Sequence, residues 1–278
     1  MVELDFPKLM SIGWWRRILE TCSEALESKD HELRFDLSRV EWVAPFGVTI
    51  LAATVLACLQ QGKTCYYIKP GNDKCHEFLR QIGFEALFLK DGEKALSTPT
   101  SVILRWLRTI DPIYVAELIA AVGYNLPIGE EDRYQIQMHL TELMQNAQDH
   151  ADSNMGFFVC AQWYPQKGNL RISFVDVGRG IPASLRTLSQ YSKERSDSKL
   201  ISESTKPGVT TRKHEGGMGL YFIRQYLRKY GETLSIISER GRITFQPKKT
   251  IKYRKPPRFP GTAVDIVMRA GVRNENGA

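Results

Sequence analysis

Two polar side chains four residues apart, Glu142 and Asn146, occur in the segment TELMQNAQDHAD and could act on one ligand. On a helix, residues at this spacing are neighbours on one face. A carboxylate beside an amide oxygen could hold a water molecule and a hydrated Mg²⁺, which prefers oxygen ligands. The same stripe could equally be the solvated face of an amphipathic helix. Its members are Gln135, His139, Glu142, Asn146 and Asp149, beside an apolar sector of Ile136, Leu140, Leu143 and Ala147.

A second candidate is the aspartate at the end of the apolar segment ISFVDVGRGIP, Asp176. A carboxylate that leaves a hydrophobic strand is expected to be partly buried and to need a hydrogen-bond partner. It could accept a hydrogen bond from the exocyclic amine of adenine. Gly178 and Gly180 follow it and would let the backbone turn tightly and approach a ligand. The alternative is an ordinary glycine-rich turn capped by an aspartate.

The third candidate is glycine-rich and lies in HEGGMGLYFIRQYLRKYG, where Gly216, Gly217 and Gly219 precede an amphipathic helix. A glycine-rich helix N-terminus suits a phosphate, because free N–H groups point outward and the helix dipole favours anions. The pattern is not a G-x-G-x-x-G after a strand, and it lacks the GK[ST] of a P-loop. It therefore indicates neither a Rossmann site nor a Walker site.

These segments, ELMQNAQDH, DVGRGIP and EGGMGL, follow one another with a long polar insert between the last two. In that order they resemble the N, G1 and G2 boxes of the GHKL superfamily, the Bergerat-fold or HATPase_c ATPases. GTAVDI at 261–266 resembles the later Gly-Thr strand motif of the same superfamily. Gyrase B, MutL, histidine kinases and anti-sigma-factor serine kinases are members. The resemblance covers about 130–270 and implies a Bergerat-fold α/β sandwich, a mixed sheet with helices on one face, which binds ATP and Mg²⁺.

The resemblance also implies roles for single residues. Asn146 would ligate Mg²⁺, and Glu142 would orient or deprotonate the attacking water or hydroxyl. Asp176 would accept from the adenine amine, supported by Thr262. Residues 183–215 would form the ATP lid. Further positions implied at the nucleotide are His150, Gly178, Gly180, Ile181, Lys206, Arg212, Gly216, Gly217, Met218, Gly219 and Leu220.

The spacing Asn146-Ala147-x-x-His150 most resembles the anti-sigma-factor kinase branch, although His150 could equally cap or pack its helix.

Three functions remain open. The first is an ATP-binding regulatory protein with Mg²⁺-dependent ATPase activity, whose nucleotide state controls a protein partner. The second is a protein serine kinase of the anti-sigma-factor type. The third is a nucleotide-sensing scaffold without turnover.

The first half of the chain reads as strand, helix, strand and helix over about 30–85, which predicts a small α/β domain. This stretch resembles a STAS domain, the fold of anti-sigma-factor antagonists. Those antagonists carry a phosphorylatable Ser or Thr before the long helix, whereas here the turn is Ala44-Pro45-Phe46-Gly47. A docking or homodimerisation module is therefore expected, with Phe46 either core or contact. The polar stretch at 90–101 places the domain boundary, giving a STAS-like domain at 1–95 and an ATP-binding domain at 96–278.

Composition is that of a globular protein, with 42% hydrophobic residues and a formal charge of +7. The apolar run at 46–59 is too short for a membrane span, and the N-terminus lacks the pattern of a signal peptide. A cytoplasmic protein without a membrane partner is expected.

The five cysteines are scattered and predict no zinc site or disulfide framework. The basic segment around 248–258 could bind nucleic acid, but a solvated hairpin is the favoured interpretation.

Overall fold

The computed structural model describes residues 1–88, 98, 100–126, 128–150, 155–211 and 218–270. In the first half, strands and helices alternate along the chain. They are β1 (Val2–Asp5), β2 (Leu9–Met10), α1 (Trp15–Glu27), β3 (Glu32–Asp36), β4 (Trp42–Val43), α2 (Pro45–Gln60), β5 (Thr64–Ile68) and α3 (Asp73–Gln81). A parallel three-stranded sheet has the order β1-β3-β5, and β2 pairs with β4 apart from it.

The second half begins with a strand and two helices and continues mostly with strands. Its elements are β6 (Ser101–Leu107), α4 (Pro112–Asn125), α5 (Glu130–His150), β7 (Phe157–Tyr164), β8 (Asn169–Asp176), α6 (Gly180–Leu185), α7 (Asp197–Ser204), α8 (Gly219–Lys229), β9 (Thr233–Glu239), β10 (Gly241–Phe245), β11 (Thr250–Lys252) and β12 (Phe259–Arg269). All seven strands join one sheet in the order β11-β10-β9-β12-β8-β7-β6.

The predicted α/β fold class is confirmed. The seven-stranded sheet is antiparallel, whereas a mixed sheet was predicted from the sequence. Each neighbouring pair of the seven-stranded sheet runs antiparallel, and the parallel pairs lie in the first half. The physical reason is the connections: β7–β8 and β9–β10 are joined by short turns, which only antiparallel neighbours allow.

The helices of the second half, α4, α5 and α8, cover one face of the seven-stranded sheet, as the resemblance implies. Side chains on β7 alternate between the two faces. Phe157 and Val159 pack into the core beneath these helices, whereas Phe158 and Cys160 point to the opposite face and join the core of the first half. Both faces of this sheet are therefore buried.

Helix α2 covers that opposite face. It is apolar on all sides, because it lies between the three-stranded sheet and strands β7 and β8 of the seven-stranded sheet. The Thr49 and Ser173 hydroxyls form a buried hydrogen bond of 2.9 Å between α2 and β8. At the start of α2, Phe46 is buried in the core. A Cβ at Gly47 would overlap the carbonyl oxygen of Met10, so this turn requires a glycine.

The elements predicted for the first half from residue 46 onward are confirmed. Helix α2 ends before Gly62, whose φ is 78°. Asn72 caps α3 by accepting from the backbone N–H of Cys75, and Gly83 follows α3 in the left-handed conformation. Among the helices that the structure describes, none has the length and apolarity to cross a membrane.

Candidate functional site

Helix α5 buries the predicted apolar sector and divides the polar stripe. The amide of Gln135 and the carboxylate of Asp149 bond within their own helix. The ring of His139 packs against the aromatic side chains of α8. Asn146 lines a cleft between α5, α6, α8 and the sheet, and Glu142 lies beside the first residue of α8. Of the pair that sequence spacing singles out, Asn146 lines the cleft, and Glu142 lies beside a glycine that lines it.

Asp176, at the end of β8, lies at the floor of the same cleft and is 6% exposed. Its Oδ1 accepts from the backbone N–H of Gly178 at 3.0 Å. Burial raises the pKa of Asp176 to about 7, although backbone N–H groups of Gly178 and Thr262 oppose the rise. No cation is among its partners in the part of the chain described. A ligand that donates a hydrogen bond would supply what this carboxylate lacks.

The turn after β8 depends on two glycines. Gly261 has a φ of 104°, and a Cβ there would overlap the carbonyl oxygen of Asp176. Gly180 has a φ of 75°, and a Cβ there would lie 2.7 Å from the hydroxyl of Ser238. That hydroxyl accepts from the backbone N–H of Ile181 and donates to the carbonyl of Gly261. The network fixes α6 against β9 and β12 and so positions Asp176 and Ile181 together.

The first residue of α8, Gly219, lies directly against a side chain of α5. A Cβ built at Gly219 would overlap Cγ of Glu142 and lie 2.9 Å from its Cδ. Gly219 is therefore required where α8 begins, and its backbone lies against the carboxylate side chain. Helix α8 has 11 residues and no acidic residue in its first turn, so the partial positive charge of its N-terminus lies at the cleft, beside the side chain of Glu142. This end of the cleft suits an anionic group.

The predicted site residues fall into four sets. Lining the cleft are Asn146, Asp176, Ile181, Gly219, Leu220 and Thr262. Beside it lie Glu142, Gly178, Gly180 and Met218, the last as the N-cap residue of α8. Lys206 lies apart, with its Nζ 2.8 Å from Glu203. Outside the described residues are Arg212, Gly216, Gly217 and the side chain of His150.

Sequence reasoning missed several hydroxyl groups in the cleft. Ser184 is 6% exposed, lines the cleft and has no hydrogen-bond partner for its Oγ among the described residues. Ser204 lines the cleft too, but its Oγ donates to the carbonyl of Ile201 at 2.8 Å. Thr210 and Thr211 contribute to the lining from the predicted lid. Ser184 lies three residues after Ile181 on α6, so helical spacing was the signal available for it.

A carboxylate at the floor, an amide on α5 and a helix N-terminus at the far end thus share one cleft. A scan against protein-family models matches residues 131–258 to HATPase_c, described as the histidine kinase-, DNA gyrase B- and HSP90-like ATPases. Residues 131–258 form a HATPase_c domain. This is an ATP-using domain, and the GHKL resemblance of the second half is confirmed at this level. A search of curated proteins finds no match to the chain.

The matched span of the HATPase_c domain begins on α5 and ends just before β12. Strand β12 nevertheless lies at the centre of the sheet, between β8 and β9. It brings Thr262 directly opposite Asp176 in the register of β8. The structural unit that forms the cleft of the HATPase_c domain therefore includes residues beyond the matched span.

Proposed function

We propose that this protein binds ATP with Mg²⁺ in the cleft of its HATPase_c domain and hydrolyses it, and that the bound nucleotide controls a protein partner. The observation that carries the proposal is that the two ends of one cleft differ chemically. One end holds a buried acceptor, Asp176, and the other holds Glu142 against the start of α8. A ligand with a hydrogen-bond donor at one end and an anionic group at the other fits both.

At the buried end, the carboxylate of Asp176 would accept from the exocyclic amine of adenine. Thr262 lies opposite it in the sheet, and the side chains of Ile181 and Leu143 give apolar surface for a base. A hydrogen bond to an ionised acceptor contributes about 1.5–3 kcal/mol. Guanine presents a carbonyl oxygen at the position of that amine, so the acceptor would disfavour it.

At the other end, the phosphates would lie at the start of α8, where helix N–H groups and the dipole favour negative charge. The amide oxygen of Asn146 is the ligand that the chain offers to a magnesium ion, which would neutralise charge on the phosphate oxygens. Glu142 would orient a water molecule and take its proton. Its contact with Gly219 supports this role, because it brings the base to the phosphate end.

The test is phosphate release by the full chain with Mg²⁺ and ATP, using Glu142→Ala and the matched control Glu131→Ala. Glu131 lies in the first turn of the same helix and bonds to Gln135. We expect Glu142→Ala to keep ATP binding and to lose turnover at least a hundredfold, in the range found for general bases, with Glu131→Ala near the wild type. Normal hydrolysis by Glu142→Ala would remove the assigned base.

The same geometry would serve a hydroxyl group of a partner protein in place of water, as in a serine kinase. ATP labelled at the γ-phosphate separates the reactions. Free labelled phosphate supports the ATPase, and label on an added protein supports the kinase. Tight ATP binding with neither product would support a sensing scaffold and contradict the proposed turnover.

A further inference from the structure

The segment 240–258 carries a concentration of positive charge that the nucleotide site does not use. It contains eight cationic residues and no carboxylate, the eight being Arg240, Arg242, Lys248, Lys249, Lys252, Arg254, Lys255 and Arg258. Arg242 is buried, and Arg258 pairs with Glu239 at 2.8 Å. In the part of the chain that the structure describes, no carboxylate lies within ion-pair distance of the other six.

A groove gathers two of these charges with two others from distant segments. It is lined by Arg240 and Lys255, by Arg16 of α1 and by Arg195, which precedes α7. Glu20 and Asp197 also line it, but the Asp197 carboxylate already accepts from the guanidinium of Arg186 and the backbone N–H of Arg240. The groove therefore has a clear excess of positive charge.

The groove wall is fixed by the first half of the chain. Both terminal nitrogens of Arg16 donate at 3.0 Å to the backbone carbonyls of Arg254 and Lys255, and the Ser23 hydroxyl donates to the carbonyl of Arg258. Since these bonds hold the main chain, the side chains of Arg254 and Lys255 remain exposed. The hairpin is thus anchored through its main chain, and its charged side chains are presented from a fixed backbone.

An aromatic side chain is also part of the groove lining. Tyr253 lines it, with the guanidinium of Arg242 over its ring at 3.9 Å. Arg242 in turn lies 4.1 Å from the ring of Trp15, which is on α1. Lys252 on β11 extends the positive charge beyond the groove along the edge of the sheet. Positive grooves with ring surface are typical of proteins that bind nucleic acid strands.

We propose that this groove binds the phosphodiester backbone of a nucleic acid. Guanidinium groups are planar forks that match phosphate oxygens, and Arg195 and Arg240 present two of them, while Arg16 adds positive charge to the wall that it anchors. The charge continues from the groove along β11, which fits a strand that carries one phosphate per nucleotide better than it fits a compact anion. An acidic protein segment is the competing occupant, and it has no use for the ring of Tyr253.

The test is fluorescence anisotropy of the full chain with labelled single-stranded RNA, single-stranded DNA and duplex DNA of about 20 nucleotides. The variant Arg195→Ala/Arg240→Ala/Lys255→Ala removes three charges of the groove. The matched control Lys29→Ala/Arg39→Ala/Lys69→Ala removes three exposed charges that line neither this groove nor the cleft. Thermal unfolding checks that both fold. Should the triple variant not fold, Arg240→Gln and Lys255→Gln are measured singly.

We expect the wild type to bind at least one of the three probes with a Kd of roughly 100 μM or tighter, the range of non-specific binding at physiological salt. The groove variant should bind at least tenfold more weakly. For single strands, its slope of log K against log salt should be shallower by about 2, since each phosphate contact contributes about 0.7. The control variant should stay near the wild type. No binding by the wild type, or equal losses in the two variants, would overturn the proposal. Displacement of the probe by polyglutamate as efficient as by unlabelled probe would instead favour an acidic protein.

Discussion

At the scale of single residues, Asp176 and Ser184 are buried polar groups in the cleft whose hydrogen-bonding capacity a ligand could satisfy. Among the described residues no cation pairs with the buried Asp176, so its ionised form destabilises the folded chain when the cleft is empty. Ser184 keeps a buried hydroxyl with no protein partner among the described residues. Such groups are rare in folded proteins and usually indicate a ligand or an ordered water. Both lie in one cleft, which supports a single binding site.

Ser184→Ala tests this interpretation. We expect ATP affinity to fall about five- to tenfold, the loss of one hydrogen bond of about 1 kcal/mol, with no loss of stability in the absence of ATP. Ser204→Ala is the matched control, because that hydroxyl lines the same cleft but is already bonded to Ile201. Isothermal titration measures both. Equal losses for the two variants would mean that Ser184 has no particular role in binding.

Asp265 provides a pH test away from the cleft. It is 2% exposed, and burial raises its pKa from 3.8 to about 7, although Arg171 and Arg242 oppose the rise. Between these values the folded chain holds a proton that the unfolded chain has lost, so stability falls as pH rises from about 4 to about 7. Asp265→Asn should flatten this fall and stabilise the protein at pH 8 by an amount on the order of a few kcal/mol. Urea unfolding at pH 5 and pH 8 measures the change, and an unaltered pH dependence would contradict it.

At the scale of elements, the contact between α5 and α8 decides the geometry of the site. Gly219→Ala would place a methyl group on Cγ of Glu142 and force the two helices apart. A displacement of about 1 Å at a reacting group can reduce a rate about a hundredfold, so we expect phosphate release to fall at least tenfold. Gly13→Ala is the control, because an added Cβ there meets ordinary contact at 3.6 Å. Unchanged turnover in Gly219→Ala would show that this contact does not position Glu142.

Elements with a strong local signal could be predicted from the sequence. The apolar sector of α5 repeats with helical period. Asn72 is a typical N-cap residue, and glycines such as those after α2 and α3 typically end helices, so these boundaries follow from single residue types. Helix α7 was missed, because its sequence is mostly polar and its helix is completed by burial of Leu200 and Ile201. Strand β6 was also missed, since short apolar runs fit a helix or a strand equally well.

The candidate site was predictable to the same degree. Asp176 and the Glu142–Asn146 pair come from residue types at fixed spacing, and the structure places Asp176 and Asn146 in one cleft with Glu142 beside it. Helical spacing from Ile181 could have pointed to Ser184, but that its hydroxyl has no hydrogen-bond partner among the described residues depends on the folded surroundings. The groove at Arg16, Arg195 and Lys255 joins segments far apart in the chain, so only the folded arrangement could show it.

At the scale of the whole molecule, the two halves share their core. The apolar run that became α2 indicated burial, but the sequence could not say against what. In the structure, α2 packs between both sheets, Thr49 bonds to Ser173, and Trp42 of the first half packs on Tyr164 of β7 with ring centroids 5.5 Å apart. Removal of the first half would expose an apolar face of the seven-stranded sheet. Large exposed apolar patches make a protein prone to aggregation.

We therefore expect the two halves to unfold together. Native-state hydrogen exchange should give similar free energies of opening for core amides of β3 and of β8. Thr49→Val leaves the hydroxyl of Ser173 without this partner and should lower both by about 1–3 kcal/mol. Exchange of the β3 amides at a much lower free energy than those of β8, or an effect of Thr49→Val on one half alone, would show two independent units.

The most direct test of the account is calorimetric titration of ATP and Mg²⁺ into the wild type and Asp176→Ala at pH 8, above the pKa of about 7 of this carboxyl. Asp73→Ala, an exposed aspartate at the start of α3, is the matched control. The account predicts ATP binding by the wild type and the control, and at least tenfold weaker binding by Asp176→Ala. Equal ATP affinity in all three proteins, or no binding by the wild type, would contradict it.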